Sequence, residues 1–299
     1  MTRALIARTL VALMLVVPTA VQAGCAGDSA PCTVVNGTYH IALPTTPGPH
    51  PAVVFLHGWG GSGEGSLSNS GMVDRFLARG YAVIAPDGQP REGGPGRSWD
   101  FDPNRPASRN ETAFISAVAD DAAARFGLIR DHMLLSGFSI GGSMTSYAAC
   151  TDPGAFTAYA PIAGSFWRPE PTACAGPVRL LHTHGWADQT VPLEGRILGP
   201  GFAQGPGFAQ GDVFAQGPGF AQGPGFAQGD VFEALQIWRD TDGCTQMRPD
   251  SITSDGIYQR RSWTSCLPGA GLEFALHPGG HIIPKGWAIL ALDWFENPS

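Results

Sequence analysis

Residues 133–149 constrain the fold of this chain more than any other stretch. The apolar run Met133-Leu134-Leu135 leads into Gly137-Phe138-Ser139-Ile140-Gly141, and helix-compatible residues 143–149 follow. The turn fits the pattern G-x-S-x-G. A nucleophile elbow needs this strand–turn–helix order, with small flanking residues that let the chain bend sharply at the serine. The Ser139 hydroxyl would then project above the sheet. The bare pattern arises readily in a chain with 41 glycines, so its specificity comes from the flanking strand and helix. An ordinary Gly-rich loop is the competing interpretation.

The rest of the chain alternates between the two kinds of element. Strands are expected at 38–43, 52–56, 81–85, 132–136, 157–163, 178–182, 256–262 and 272–276, and helices at 72–79, 111–126, 140–149, 231–241 and 287–295. Residues 52–56 form a short, wholly apolar run, as a buried parallel strand requires. Such alternation predicts an α/β fold, with a mostly parallel central sheet and helices on both faces. Residues 89–109 form a long Gly/Pro/Arg loop between strand and helix, a place where function collects.

Three further segments carry chemistry. His57-Gly58-Trp59-Gly60-Gly61-Ser62-Gly63 directly follows a strand. An acyl-transfer enzyme stabilises its developing oxyanion with preorganised N–H donors, one after the nucleophile and one from such a loop. The expected donors are the amides of Ile140 and Trp59, with Gly60 as an alternative to Trp59. A phosphate-binding loop is excluded, because no Lys-Ser/Thr follows the glycines. His57 precedes the serine, whereas this topology orders serine, acid, histidine; His57 is therefore read as shaping the loop. In His184-Gly185-Trp186-Ala187-Asp188, beyond the strand at 178–182, Asp188 can orient an imidazole. Its competitors Asp212 and Asp230 lie in a repeat and are poor supports for a catalytic group. In Gly279-Gly280-His281, His281 would take the Ser139 proton and return it to the leaving alkoxide. His277, at a strand end, is the rival base.

The first 23 residues have the form of a secretory signal. Arg3 and Arg8 precede an apolar stretch, and Val21-Gln22-Ala23 offers small residues for cleavage after Ala23. The mature chain, 24–299, is expected to be a single catalytic domain outside the cytoplasm, secreted or periplasmic. The apolar run is short for a membrane span, which needs about 20 residues. A permanent N-terminal anchor and a lipid on Cys25 are the alternatives. Export makes disulfides of the six cysteines. Six cysteines allow 15 connectivities; sequence-local pairing gives Cys25–Cys32, Cys150–Cys174 and Cys244–Cys266. No spacing suggests zinc. With 18 basic against 25 acidic residues, a net charge of −7 and no Lys/Arg cluster, nucleic acid is an improbable partner.

Residues 199–216 and 217–234 are two blocks whose first sixteen residues are identical, each built on the hexamer GPGFAQ. Near-perfect identity points to recent tandem expansion rather than to a solenoid, whose surface positions drift. Gly and Pro at this density disfavour helix and strand. A poorly ordered surface loop is expected at about 199–234. Alternatively, its six phenylalanines make a sticky surface for an apolar polymer.

The stretches LHGWGGSGE, GFSIGGSM, HGWADQTVP and PGGH occur in that order. Together they resemble the secreted polyhydroxybutyrate-depolymerase-like esterases of the α/β-hydrolase superfamily, a group that also contains feruloyl and acetylxylan esterases. Within it the chain resembles the LpqC-type branch of exported esterases. The resemblance runs from about residue 39 to the C-terminus, apart from the repeat. It implies the α/β-hydrolase fold and maps nucleophile, acid and base onto Ser139, Asp188 and His281. Arg97-Ser98-Trp99 resembles the family's Ser-Trp stretch, in a loop expected to shape the substrate cleft. The expected function is hydrolysis of carboxylic esters through an acyl-enzyme, with no metal or organic cofactor. Candidate substrates are hydroxyalkanoate oligomers or polymer, feruloyl esters and acetylated polysaccharide. A catalytically silent exported binding protein is the alternative from a different class.

Overall fold

Alternate residues of β3 (Ala52–Leu56) face opposite sides of a sheet, and both sides are apolar. Ala52, Val54 and Leu56 belong to one core cluster and Val53 and Phe55 to the other. A strand buried on both faces must lie inside its sheet, and β3 does. The structure is a computed structural model and describes residues 24–91, 94–101, 107–198 and 226–298. The signal sequence expected at 1–23 and repeat residues 199–225 lie outside the described residues.

Ten strands form the sheet, in the order β1 (Cys32–Val34), β2 (Gly37–Ala42), β4 (Ala82–Pro86), β3, β7 (Met133–Phe138), β8 (Ala158–Ile162), β9 (Arg179–Gly185), β14 (Gly271–His277), β13 (Tyr258–Trp263) and β12 (Ser251–Asp255). The six strands from β4 to β14 run parallel. The two strands at each edge pair antiparallel. Helices α3 (Glu111–Phe126), α4 (Ile140–Thr151) and α5 (Val231–Thr241) cover one face. Helices α1 (Gly63–Leu67), α2 (Ser70–Ala78) and α6 (Trp287–Glu296) cover the other. This is the α/β-hydrolase architecture expected from the alternation. On the second face Trp287 packs edge-on against Phe76 and Phe55, with ring centroids 6.2 and 6.3 Å apart.

All three sequence-local disulfides are formed: Cys25–Cys32, Cys150–Cys174 and Cys244–Cys266. The last two close loops of 24 and 22 residues, and cross-links of that span stabilise by about 3 kcal/mol each. The Cys25 sulfur is bonded to Cys32. No helix among the described residues is long and apolar enough to cross a membrane.

The structure corrects the sequence reading in several places. β12 was not expected, because all five of its residues are exposed and it lacks any apolar alternation. It pairs with β13 across a turn at Gly256, so that strand begins at Tyr258 rather than at 256. The loop at 89–109 contains a small antiparallel pair, β5 (Gln89–Pro90) with β6 (Arg97–Ser98). The end of the repeat is not loop. Its residues Phe226–Gln228 form β11, which pairs with β10 (Arg196–Leu198). Asp230 then caps α5 through the amides of Phe232 and Glu233.

Candidate active site

Ser139 sits between β7 and α4 with φ 59° and ψ −123°. This is a costly backbone for a residue with a Cβ, worth about 1–3 kcal/mol of strain. The surroundings enforce it. The Ser139 amide donates to the Ile162 carbonyl at 2.9 Å, and the Ser143 amide donates back to the Ser139 carbonyl at 3.0 Å. Glycine is needed on both sides. A Cβ on Gly137 would lie 2.4 Å from the Gly141 carbonyl oxygen, and one on Gly141 would lie 2.3 Å from that of Leu56. The G-x-S-x-G pattern is thus the only way to fold this bend against β3.

The structure brings Ser139, His281 and Asp188 together from three separate loops. His281 Nε2 is 2.8 Å from Ser139 Oγ, and its Nδ1 is 2.8 Å from Asp188 Oδ2. Since a carboxylate only accepts, the proton lies on Nδ1, leaving Nε2 to accept the serine proton. Asp188 Oδ1 accepts from the Thr190 and Val191 amides, both at 2.8 Å. Burial pushes the Asp188 carboxyl up, but the hydrogen bond and charge of His281 and the Val191 amide outweigh it, so its pKa is lowered. The rival His277 does not reach the serine; its Nδ1 accepts from the Gly279 amide at 3.1 Å.

Behind the acid stand two histidines that the sequence reading did not single out as a pair. His182 and His184 are two apart on β9 and therefore share a face. Their rings stack with centroids 5.3 Å apart, and His182 Nε2 lies 3.0 Å from His184 Nδ1. Burial lowers the pKa of both.

The loop after β3 is held by His57. Its Nδ1 donates to the Gly58 carbonyl at 2.8 Å, and its Nε2 accepts from the Gly88 amide at 3.0 Å. Both ring nitrogens are occupied, and burial drives the pKa down to about 4. Arg97-Ser98-Trp99 braces this loop. Trp99 Nε1 donates to the His57 carbonyl at 2.9 Å, and its ring lies against the His57 imidazole. The Gly60 amide donates to the Arg97 carbonyl at 2.9 Å, which commits that alternative oxyanion donor elsewhere. Trp59 lies under the Arg91 guanidinium, 3.4 Å from the ring centroid. The Ile140 amide opens α4, where no intrahelical acceptor exists and the helix dipole is positive. Trp59 and Ile140 border one cleft with Ser139, Ser143, Trp167, Thr190, Val191 and Gln228. Gln228 escaped the sequence reading because it belongs to the repeat.

An elbow serine, an imidazole and a buried carboxylate on the loops of a doubly covered parallel sheet define a serine-centred member of the α/β-hydrolase class. More particularly, the chain belongs to the dienelactone hydrolase family, whose profile matches residues 38–197, over half of its length. It is similar to the protein named "Putative esterase NocK" from Nocardia uniformis subsp. tsuyamanensis, 30% identical over 164 residues, which are 52% of this chain and 45% of that one. It is also similar to the bifunctional acetylxylan esterase/xylanase XynS20E of Neocallimastix patriciarum, 27% identical over 154 residues, 51% of this chain and 21% of that one. The matches thus span less than half the length of either curated relative. Among solved structures, an acetyl xylan esterase from Aspergillus awamori shares the fold, with a TM-score of 0.61 at 18% identity over 87% of this chain and 94% of that one.

Proposed function

We propose that the chain is an exported serine carboxylesterase with Ser139 as nucleophile, His281 as general base and Asp188 as the orienting acid. The unbroken hydrogen-bonded series from Ser139 Oγ through His281 to Asp188, at 2.8 Å per step, carries this reading. His281 Nε2 takes the hydroxyl proton as Oγ attacks the ester carbonyl carbon. The negative charge that forms on the carbonyl oxygen is met by the amides of Trp59 and Ile140. Collapse breaks the ester bond, and His281 gives its proton to the departing alkoxide. Water then attacks the acyl-enzyme by the same path. The signal-like residues 1–23 and the three disulfides support export.

The motifs point first to a polyhydroxybutyrate-depolymerase-like substrate. One observation favours acetyl esters of polysaccharide as a second reading. The cleft beside Ser139 is narrow, with Trp59, Ile140, Trp167 and Val191 close around the serine, which suits a short acyl group. The test is clearing of an amorphous polyhydroxybutyrate suspension by the purified protein, with Ser139→Ala as blank and p-nitrophenyl butyrate as the control ester. Clearing supports the depolymerase-like reading. Control turnover without clearing moves the substrate to acetyl or feruloyl esters. Failure on the control ester overturns the carboxylesterase reading.

A further inference from the structure

The final GPGFAQ unit of the repeat ends at Gln228, and this residue is built into the cleft wall. Its Cα pairs with Arg196 across β10 and β11, and on the other side it bridges to Trp167. The Arg168 amide donates to the Ala227 carbonyl at 2.8 Å, and the Gly229 amide to the Phe166 carbonyl at 2.9 Å. The backbone is therefore fixed from both sides.

The side chain is also fixed. Gln228 is only 4% exposed, yet it borders the same cleft as Ser139. Its Oε1 accepts from Arg196 Nε at 3.1 Å. A guanidinium can only donate, so this contact decides which end of the amide is oxygen and leaves the NH2 group as the end without a protein partner. No described residue accepts a hydrogen bond from Gln228 Nε2. Nε2 is not sealed from solvent, so an acceptor entering the cleft can replace water on it.

We infer that Gln228 is a specificity-determining residue whose Nε2 donates to a second oxygen of the substrate, a few bonds from the scissile carbonyl. This rests on the carboxylesterase reading above and narrows it to oxygenated esters. Two substrate types carry such an oxygen: a 3-hydroxyacyl group, and an acetylated sugar with a free neighbouring hydroxyl. Hydrocarbon esters leave the amide unpaired and are selected against.

The test compares kcat/KM for two ester pairs in the wild type and in Gln228→Met. One pair is ethyl 3-hydroxybutyrate against ethyl butyrate. The other is a monoacetylated methyl xyloside against cyclohexyl acetate. The wild type is expected to prefer the oxygenated member of one pair by about 10-fold, the size of one hydrogen bond in a closed site. That pair identifies the source of the oxygen. Gln228→Met should erase the preference, bringing the ratio of the two kcat/KM values to about one. Gln228→Glu keeps the shape and the Arg196 partner but has no donor; it should lose the same preference, and it carries the test if the Met variant does not fold. Two results overturn the inference: wild-type turnover with no preference in either pair, or Gln228→Met slowing both members alike. Absence of turnover on p-nitrophenyl butyrate would instead overturn the carboxylesterase reading beneath it.

Discussion

His184 and Val191 are joined by a hydrogen bond of 2.7 Å from the imidazole Nε2 to the carbonyl oxygen. The Val191 amide in turn donates to Asp188 Oδ1 at 2.8 Å. The histidine therefore holds the residue whose amide holds the acid. Its tautomer is set by the same contacts: Nε2 carries the proton, and Nδ1 accepts from His182. His184→Ala should lower kcat on p-nitrophenyl butyrate at least about 10-fold with little change in KM, because a small misplacement of the acid propagates to His281. It should also destabilise the fold by about 2–4 kcal/mol through the cavity and the unpaired His182 donor. Kinetics and thermal melting on the same preparation check this. A lower melting temperature with unchanged kcat would show that the histidine pair only fills space.

Asp242 predicts how stability depends on pH. It caps α5 with no solvent exposure. Its Oδ1 accepts from the Val178 amide at 2.8 Å, while Oδ2 has no partner among the described residues. Burial raises its pKa from 3.8 to about 7. In the unfolded chain the group ionises near 3.8, whereas the folded protein keeps the proton until about pH 7. The unfolded state thus binds fewer protons across that window, and this residue's contribution to stability falls as pH rises from about 4 to 7. Asp242→Asn should leave stability nearly unchanged at pH 4 and raise it at pH 8, by at most ~4 kcal/mol for a shift of this size. Denaturant unfolding at the two pH values checks the sign. Equal effects at both would remove the buried neutral acid.

Removing residues 199–216 should leave esterase activity within about twofold. The deletion joins Leu198 to Gly217, and the following sixteen residues are identical to those removed. β11, Gln228 and the Asp230 cap all come from the last copy, which remains. Rates on p-nitrophenyl butyrate for the two lengths decide it. A large gain in the shortened chain would mean that the expansion has impaired the enzyme.

What the sequence made legible, and what it hid, follows from how local each signal is. The bend at Ser139 needs glycine at 137 and 141 for steric reasons confined to a few residues, so it could be read directly. The parallel strands were equally readable, since β3 buries both faces and is apolar throughout. The edge strand β12 was hidden, because an exposed strand needs no apolar period. Gln228 was hidden for a different reason. It recurs in a repeat dominated by Gly and Pro, and nothing in the sequence sets the last copy's glutamine apart from the earlier ones. Arg97-Ser98-Trp99 reads from sequence as shaping the cleft, but not how: Trp99 aims its indole N–H at the His57 carbonyl. Which face of a loop carries an aromatic ring depends on the tertiary neighbours it meets.

The most direct test of the central claim is reaction with a fluorophosphonate probe, followed by mass spectrometry of the labelled peptides. The probe phosphonylates a serine only where a base removes its proton and an oxyanion hole receives the charge. The contacts of Ser139 with His281 predict a single adduct on the peptide containing Ser139. It should be absent from Ser139→Ala, and labelling should abolish ester turnover in parallel. A folded protein that takes no label, that takes it at another residue, or that keeps its turnover as Ser139→Ala would contradict the account.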